Sequence, residues 1–343
     1  MNDRRRTSCR SALAGDALGG RATKASSAAG LLQKAGGRGW LALLLLLPCA
    51  LHAQVRKLEL DAPAFAPERI HVTVYLPPGY PDSTARYPVL YANDGQDMQA
   101  VGLQPTLATL DGEHAIEPII VVAIDMLRDR ASGYGLSDRQ RGQSVVGGSR
   151  IGAIGLRAAD YSSWIATSLV PYIDTHYRTR ANARQRTVMG WSLGALNAFN
   201  LGWEYPDVFG QVGAMSPSFW LAGDRSDASA VQRTRLAQAM VDRGPRREGL
   251  KFWFAAGTAE ETNDRDHDGV IDVIDDLQDL VDGYRGEGVQ RRGLRQLGYA
   301  TTGPGADVTV FLLPGGHHQQ ASWAKMLPAF LRWAFPPRPS PSL

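Results

Sequence analysis

Thr187 to Asn197 reads TVMGWSLGALN and sets Ser192 between Gly190 and Gly194, where an apolar strand-like run passes into an apolar helix-like run. That context is a nucleophile elbow: the turn from strand to helix is tight enough to strain the serine, and its neighbours must be nearly free of side chains. A serine hydroxyl held there can attack a carbonyl carbon if a base takes its proton and an acid orients the base. The oxyanion that forms needs N–H donors, and the backbone amide of Leu193, next after the nucleophile, is one.

Candidate acids and bases sit after two later strands. The run FWFAA leads into Gly257-Thr258-Ala259-Glu260-Glu261, and VTVFLL leads into Pro314-Gly315-Gly316-His317-His318. Both loops leave the C-terminal ends of their strands, where sites in open α/β sheets assemble. On the residues alone, either Glu260 or Glu261 can be the acid and either His317 or His318 the base. His71, His114, His176 and His267 fall in an early strand, a loop, a helix end and an acidic loop, and are poorer candidates.

A second motif is independent of the first. Asp264 to Asp275, DRDHDGVIDVID, carries carboxylates at positions 1, 3, 5, 9 and 12 and glycine at 6, the spacing of a calcium loop. It offers Asp264, Asp266, Asp268, the Val270 carbonyl, Asp272 and Asp275 as ligands for a structural calcium. Asp275 is shorter than the usual final glutamate, and no helix precedes the loop. A solvated acidic loop is the plainer reading of the same residues.

Elements able to position these groups alternate along the chain. Arg69 to Leu76 alternates polar and apolar residues as a half-buried strand does, while Pro88 to Ala92, Pro118 to Ile124 and Thr187 to Met189 are continuous apolar runs suited to a buried parallel sheet. Asp160 to Tyr177 predicts a helix capped by Asp160, and Trp323 to Phe335 an amphipathic closing helix. Leu136 to Gly155, rich in Gly, Ser and Arg, reads as a long surface loop and a candidate lid. The pattern predicts one α/β domain with a mostly parallel, doubly wound sheet flanked by helices.

The domain is expected to span residues 54–335, followed by a frayed tail, 336–343. Residues 1–53 are expected to be a leader and signal peptide: basic residues precede the apolar run Leu41 to Leu47, and PCALHAQ places cleavage after Ala53. An N-terminal membrane anchor is the alternative, though the run is short for a span. The whole chain of 343 residues has a formal charge of +3. The segment through Gln54 holds eight of the 37 basic and two of the 34 acidic residues, which leaves 29 positive and 32 negative groups and a net charge of −3. The nucleic-acid partner that +3 hints at therefore has no support in the mature chain. Cys9 and Cys49 leave with the leader, so a cysteine nucleophile is excluded and an oxidising compartment is suited.

Several stretches resemble the esterase family of α/β-hydrolases that includes enterochelin esterases, feruloyl and acetyl xylan esterases, S-formylglutathione hydrolases and mycolyltransferases. They are VYLPPGY (Val74 to Tyr80), YPVLYANDGQ (Tyr87 to Gln96), PYIDTHYRT (Pro171 to Thr179), GWSLGA, YPDVFGQVGAMSPSFW (Tyr205 to Trp220), GTAEE, and GGHH before Trp323. The resemblance covers most of residues 66–335 and implies the α/β-hydrolase fold. It selects His318, five residues before Trp323, and Glu260, three after the strand-end Gly257. It also implies that Gln96, after Asp94-Gly95, supplies the second oxyanion N–H. One family motif is degraded at RDRASGY (Arg128 to Tyr134), with Gly133 where an acid is common. The implied function is an exported serine hydrolase cleaving small-molecule or carbohydrate-linked carboxylic esters, with no cofactor needed for catalysis. An acyltransferase using the same residues, or a non-catalytic calcium-dependent binding module on the same fold, are the alternatives. Trp191 and the Ser216 to Trp220 segment are candidates to stack on a sugar or phenolic group.

Overall fold

A computed structural model describes residues 54–150, 152–286 and 288–337. The expected signal peptide and most of the expected tail lie outside the described residues. Eight strands form the central sheet: β1 Gln54–Asp61, β2 Arg69–Leu76, β3 Val89–Asn93, β4 Ile120–Ile124, β5 Arg186–Trp191, β6 Gln211–Met215, β7 Lys251–Gly257 and β8 Val308–Leu313. Their order is β1-β2-β4-β3-β5-β6-β7-β8. β1 and β2 are antiparallel to their neighbours, and the other pairs are parallel. This is the mostly parallel sheet that the strand pattern predicts, in the α/β-hydrolase arrangement that the family resemblance implies.

Period-two alternation sends side chains to two cores. Leu90 and Ala92 of β3, Met189 and Trp191 of β5 and Trp253 of β7 face one side, where Leu103 and Leu110 of α1 (Leu103–Gly112) and Met326 and Phe330 of α6 (Gln320–Ala334) cover them. Tyr91, Val188, Val212, Phe252 and Phe254 face the other side. There they meet α2 (Ala158–Trp164), α3 (Val170–His176), α4 (Leu193–Glu204) and α5 (Asp272–Asp282). β3 and β4 are buried along their whole length, as their unbroken apolar runs require.

Three expectations need correction. Asp160 is not a cap: Arg157 holds that position, and Asp160 lies in the first turn, 2.6 Å from the Arg157 guanidinium. The predicted helix is also interrupted between α2 and α3 by a π-turn, Ile165–Leu169. Pro171 follows it, and a proline ring clashes with the carbonyl four residues back unless the helix widens. Leu136 to Gly155 is not a plain loop but two short hairpins, Leu136–Asp138 with Gln143–Val145 and Gly147–Ser149 with Gly152–Ile154. Leu136 and Ile154 are buried in the core, which ties the segment down.

Candidate active site

Ser192 terminates β5 and caps α4 with φ 56° and ψ −126°, a strained conformation for a residue with a side chain. Its N–H donates to the Met215 carbonyl of β6 at 3.1 Å, which pins the turn to the sheet. Both elbow glycines are required by space. A Cβ on Gly190 would lie 2.4 Å from the Gly194 backbone, and one on Gly194 would lie 2.6 Å from Asp94 Oδ2.

The loops that carry Glu260 and His318 are laced together after β7 and β8. Ala259 N–H donates to the Gly316 carbonyl at 2.9 Å, and Gly315 N–H donates to Thr258 Oγ1 at 2.8 Å. Gly257 permits this closeness, since a Cβ there would meet Gly316 O at 2.3 Å. The result is a contact of 2.8 Å between Glu260 Oε2 and His318 Nδ1. The Glu260 side chain is 2% exposed, and its Oε1 accepts from the Gly257 N–H and the Ser216 hydroxyl, both at 2.6 Å. Glu261 instead accepts from Val273 N–H and the Asn263 amide. His317 donates its backbone N–H to Ser322. Of the two candidate pairs, Glu260 and His318 are therefore the ones in contact.

Trp323 builds the far side of this arrangement. Its Nε1–H donates to Ser216 Oγ at 2.8 Å, its ring stacks on Trp191 with centroids 5.2 Å apart, and the His318 imidazole meets it edge-on at 5.4 Å. An indole N–H only donates, so Ser216 Oγ accepts from it and turns its own proton to Glu260. Ser216 itself has φ 49°. Trp191 is 1% exposed and bonds Asp97 through its ring N–H, so it packs under the site and offers no stacking face. Burial pushes the Asp97 carboxyl above its ordinary range. Trp220 is the aromatic of that group that borders the cavity.

That cavity, about 720 Å³, is lined by Ser192, Leu193 and His318 together with Trp220, Arg150 and Arg225. Leu193 is the first residue of α4, and its N–H finds no acceptor among the described residues, as the first turn of a helix leaves it. The Gln96 N–H is likewise without an acceptor among them. The Gln96 side chain turns away: Oε1 accepts from Met126 N–H, and Nε2 donates to Asp94 Oδ1.

The acidic loop lies on another wall. Carboxylate oxygens of Asp264, Asp266 and Asp268 lie within 4.8 Å of one another. Asp264 accepts from the Asp268 and Gly269 N–H groups. Asp272 and Asp275 fall inside α5 and are turned elsewhere, Asp272 to Arg265 at 3.0 Å and Asp275 to the Gln232 amide at 3.0 Å. Burial, helped by Asp279 and Asp266, pushes the Asp275 carboxyl up to about 6. Val270 donates its N–H to Asp268.

Residues 64–334 match the family model described as "Putative esterase". The chain belongs to this esterase family. Among individual proteins it is 25% identical over 154 residues to the uncharacterized protein YbbA of Bacillus subtilis, across 43% of this chain and 56% of that one. It superposes on the enterobactin esterase of Shigella flexneri with a TM-score of 0.59 at 16% identity, covering 83% of this chain and 60% of the other. A ferulic acid esterase gives 0.58 at 18% identity, covering 83% and 98%. The chain thus spans a little over half the length of the first two, and at these identities the structural likeness is one of fold.

Asp94, Arg130, Ser216 and Trp323 support the site but carry no role in the sequence reading. Ser216 and Trp323 stand inside motifs that resemble the family, and the Asp94-Gly95 pair ends an early strand. Arg130 had only the degraded motif to mark it. Removing the Ser216 hydroxyl strips a donor from a buried carboxylate and an acceptor from a buried indole. Hydrogen bonds to charged groups contribute about 1.5–3 kcal/mol. Ser216→Ala is expected to lower unfolding free energy by about that much in urea titrations, and an unchanged midpoint and slope would contradict the assignment.

Proposed function

We propose that this chain is an exported serine esterase acting on a carboxylic ester through an acyl-enzyme on Ser192. The observation that carries the reading is the 2.8 Å contact of Glu260 with His318 Nδ1, on a histidine that borders the same cavity as the strained Ser192. A carboxylate only accepts, so Nδ1 carries the proton and Nε2 is left as the base. His318 takes the Ser192 proton as Oγ attacks the ester carbonyl, and the Leu193 and Gln96 N–H groups receive the oxyanion. The imidazolium, steadied by Glu260, then protonates the departing alcohol. Water repeats the sequence and releases the acid. An alcohol or sugar in place of water would make the same residues an acyltransferase.

Family membership supports an ester substrate, and the cavity beside Trp220 suits a small-molecule or carbohydrate-linked one. Export is supported by the basic residues and the apolar run Leu41 to Leu47 that precede Gln54 in the sequence. Three carboxylates within 4.8 Å repel one another, and a calcium ion on Asp264, Asp266 and Asp268 would relieve this, with the Val270 carbonyl and water filling its shell.

Ser192→Ala and His318→Ala are each expected to lower kcat on a simple aryl acetate by about 10⁴-fold or more, whereas His317→Ala stays within a few-fold of wild type. Equal losses in the two histidine variants would refute the assignment. The intact mass of protein recovered from an exporting host should correspond to a chain beginning at Gln54, and retention of the leader would count against export. Melting temperature should rise when calcium replaces chelator, and the rise should vanish in Asp266→Asn; identical values in wild type argue against a bound ion.

A further inference from the structure

The two N–H groups assigned to the oxyanion lie on loops from different strands, β3 and β5. Those strands are paired only as far as Ala92 with Met189. Asn93 to Gln96 and Trp191 to Leu193 both lie beyond the last ladder pair, so side chains must set the gap between them.

Three side-chain links cross it. Asn93 donates its amide to the Gly194 carbonyl at 2.9 Å, past the nucleophile, and the Trp191 ring N–H donates to Asp97 Oδ2 at 3.1 Å. The third is Arg130. Its Nε and Nη2 donate to Asp94 Oδ1 and Oδ2, both at 2.8 Å, and Nη2 also donates to the Trp191 carbonyl at 3.3 Å. That carbonyl belongs to the peptide whose N–H is Ser192's own, immediately before the nucleophile. Asp94 is 1% exposed and left-handed, φ 56° and ψ 49°, and its N–H donates to the Tyr134 hydroxyl at 2.8 Å. Its Oδ1 also receives the Gln96 side chain.

We propose that Asp94 and Arg130 are positioning residues of the oxyanion hole: one guanidinium braces the loop carrying the Gln96 N–H against the elbow carrying the Leu193 N–H. The inference rests on the esterase reading above. Neither side chain lines the cavity at Ser192, so the pair acts through the two amides and does not touch the substrate. A planar fork is needed for this, because it spans both carboxylate oxygens and reaches a third acceptor, which a lysine ammonium cannot do.

Arg130→Lys keeps the charge beside Asp94 and removes the fork. In the full-length mature protein, with an aryl acetate as substrate, kcat is expected to fall by about tenfold or more while KM stays within about twofold, since only transition-state binding is touched. Affinity for an aryl boronate, which forms a tetrahedral adduct on the serine, should fall by the same factor. End-point labelling by a fluorophosphonate should remain at one per chain, which marks an intact fold. Unchanged kcat and boronate affinity, a rise in KM alone, or a loss of kcat matched by a loss of labelled sites would each overturn the brace. Should Arg130→Lys not fold, Tyr134→Phe loosens Asp94 from the backbone side and should also lower kcat at constant KM; wild-type kcat in that variant overturns the proposal. Activity surviving in Ser192→Ala would instead sink the esterase reading and leave the brace geometry untouched.

Discussion

Everything at this site follows from how closely β5 and α4 approach one another at Ser192. The chain must turn from strand to helix within a single residue, and it does so only because Gly190 and Gly194 leave room, one for the other's backbone and one for Asp94 Oδ2. The strain stored at φ 56° has to be offset by surroundings that over-determine the turn. Those surroundings are specific: Ser192 N–H on Met215, Asn93 on Gly194, and Arg130 on Trp191. A hydroxyl held this way is exposed to the cavity while its backbone cannot relax. The first amide of α4 is presented beside it.

Glu260 and His318 repeat this logic in the loops after β7 and β8. Two glycines, Gly257 and Gly316, let their loops touch, and the contact places a buried carboxylate under an exposed imidazole. A buried carboxylate must have its lone pairs met by donors. Here Glu260 accepts from Gly257, Ser216 and His318, and Trp323 fixes the direction of the Ser216 proton. Trp323 begins the packing of α6 on the sheet, so the helix that closes one core also orients the site.

Legibility in the sequence tracked how local each constraint is. β2 and β8 agree with their expected bounds because alternation or flanking turn residues mark them. β6 was missed as a strand because Gly213 weakens it, and that glycine is required by the Phe330 ring, where a Cβ would lie 2.3 Å away. β1 carries little strand signal because none of its residues is buried, and α5 little helix signal because its acidic face reads as part of the loop before it. Within the site, Ser192 could be named because its elbow motif follows a strand, and Glu260 and His318 because each lies in the loop leaving a strand, the choice over Glu261 and His317 resting on the family resemblance. Gln96 and Leu193 could be named because the motifs place their amides. The Asp94–Arg130 pair joins residues 36 apart with no periodicity between them, and only the folded sheet brings them together.

The central claim is that Ser192 forms a covalent acyl intermediate. It is tested most directly by mixing the protein with an aryl acetate, quenching in acid, and measuring the intact mass and the modified peptide. Glu260→Gln, which should slow deacylation, would be run beside wild type to accumulate the intermediate. The account predicts one added acetyl group per chain, on the peptide containing Ser192, absent from Ser192→Ala. Turnover of the ester with the acetyl on another residue, or with Ser192→Ala as active as wild type, would contradict it.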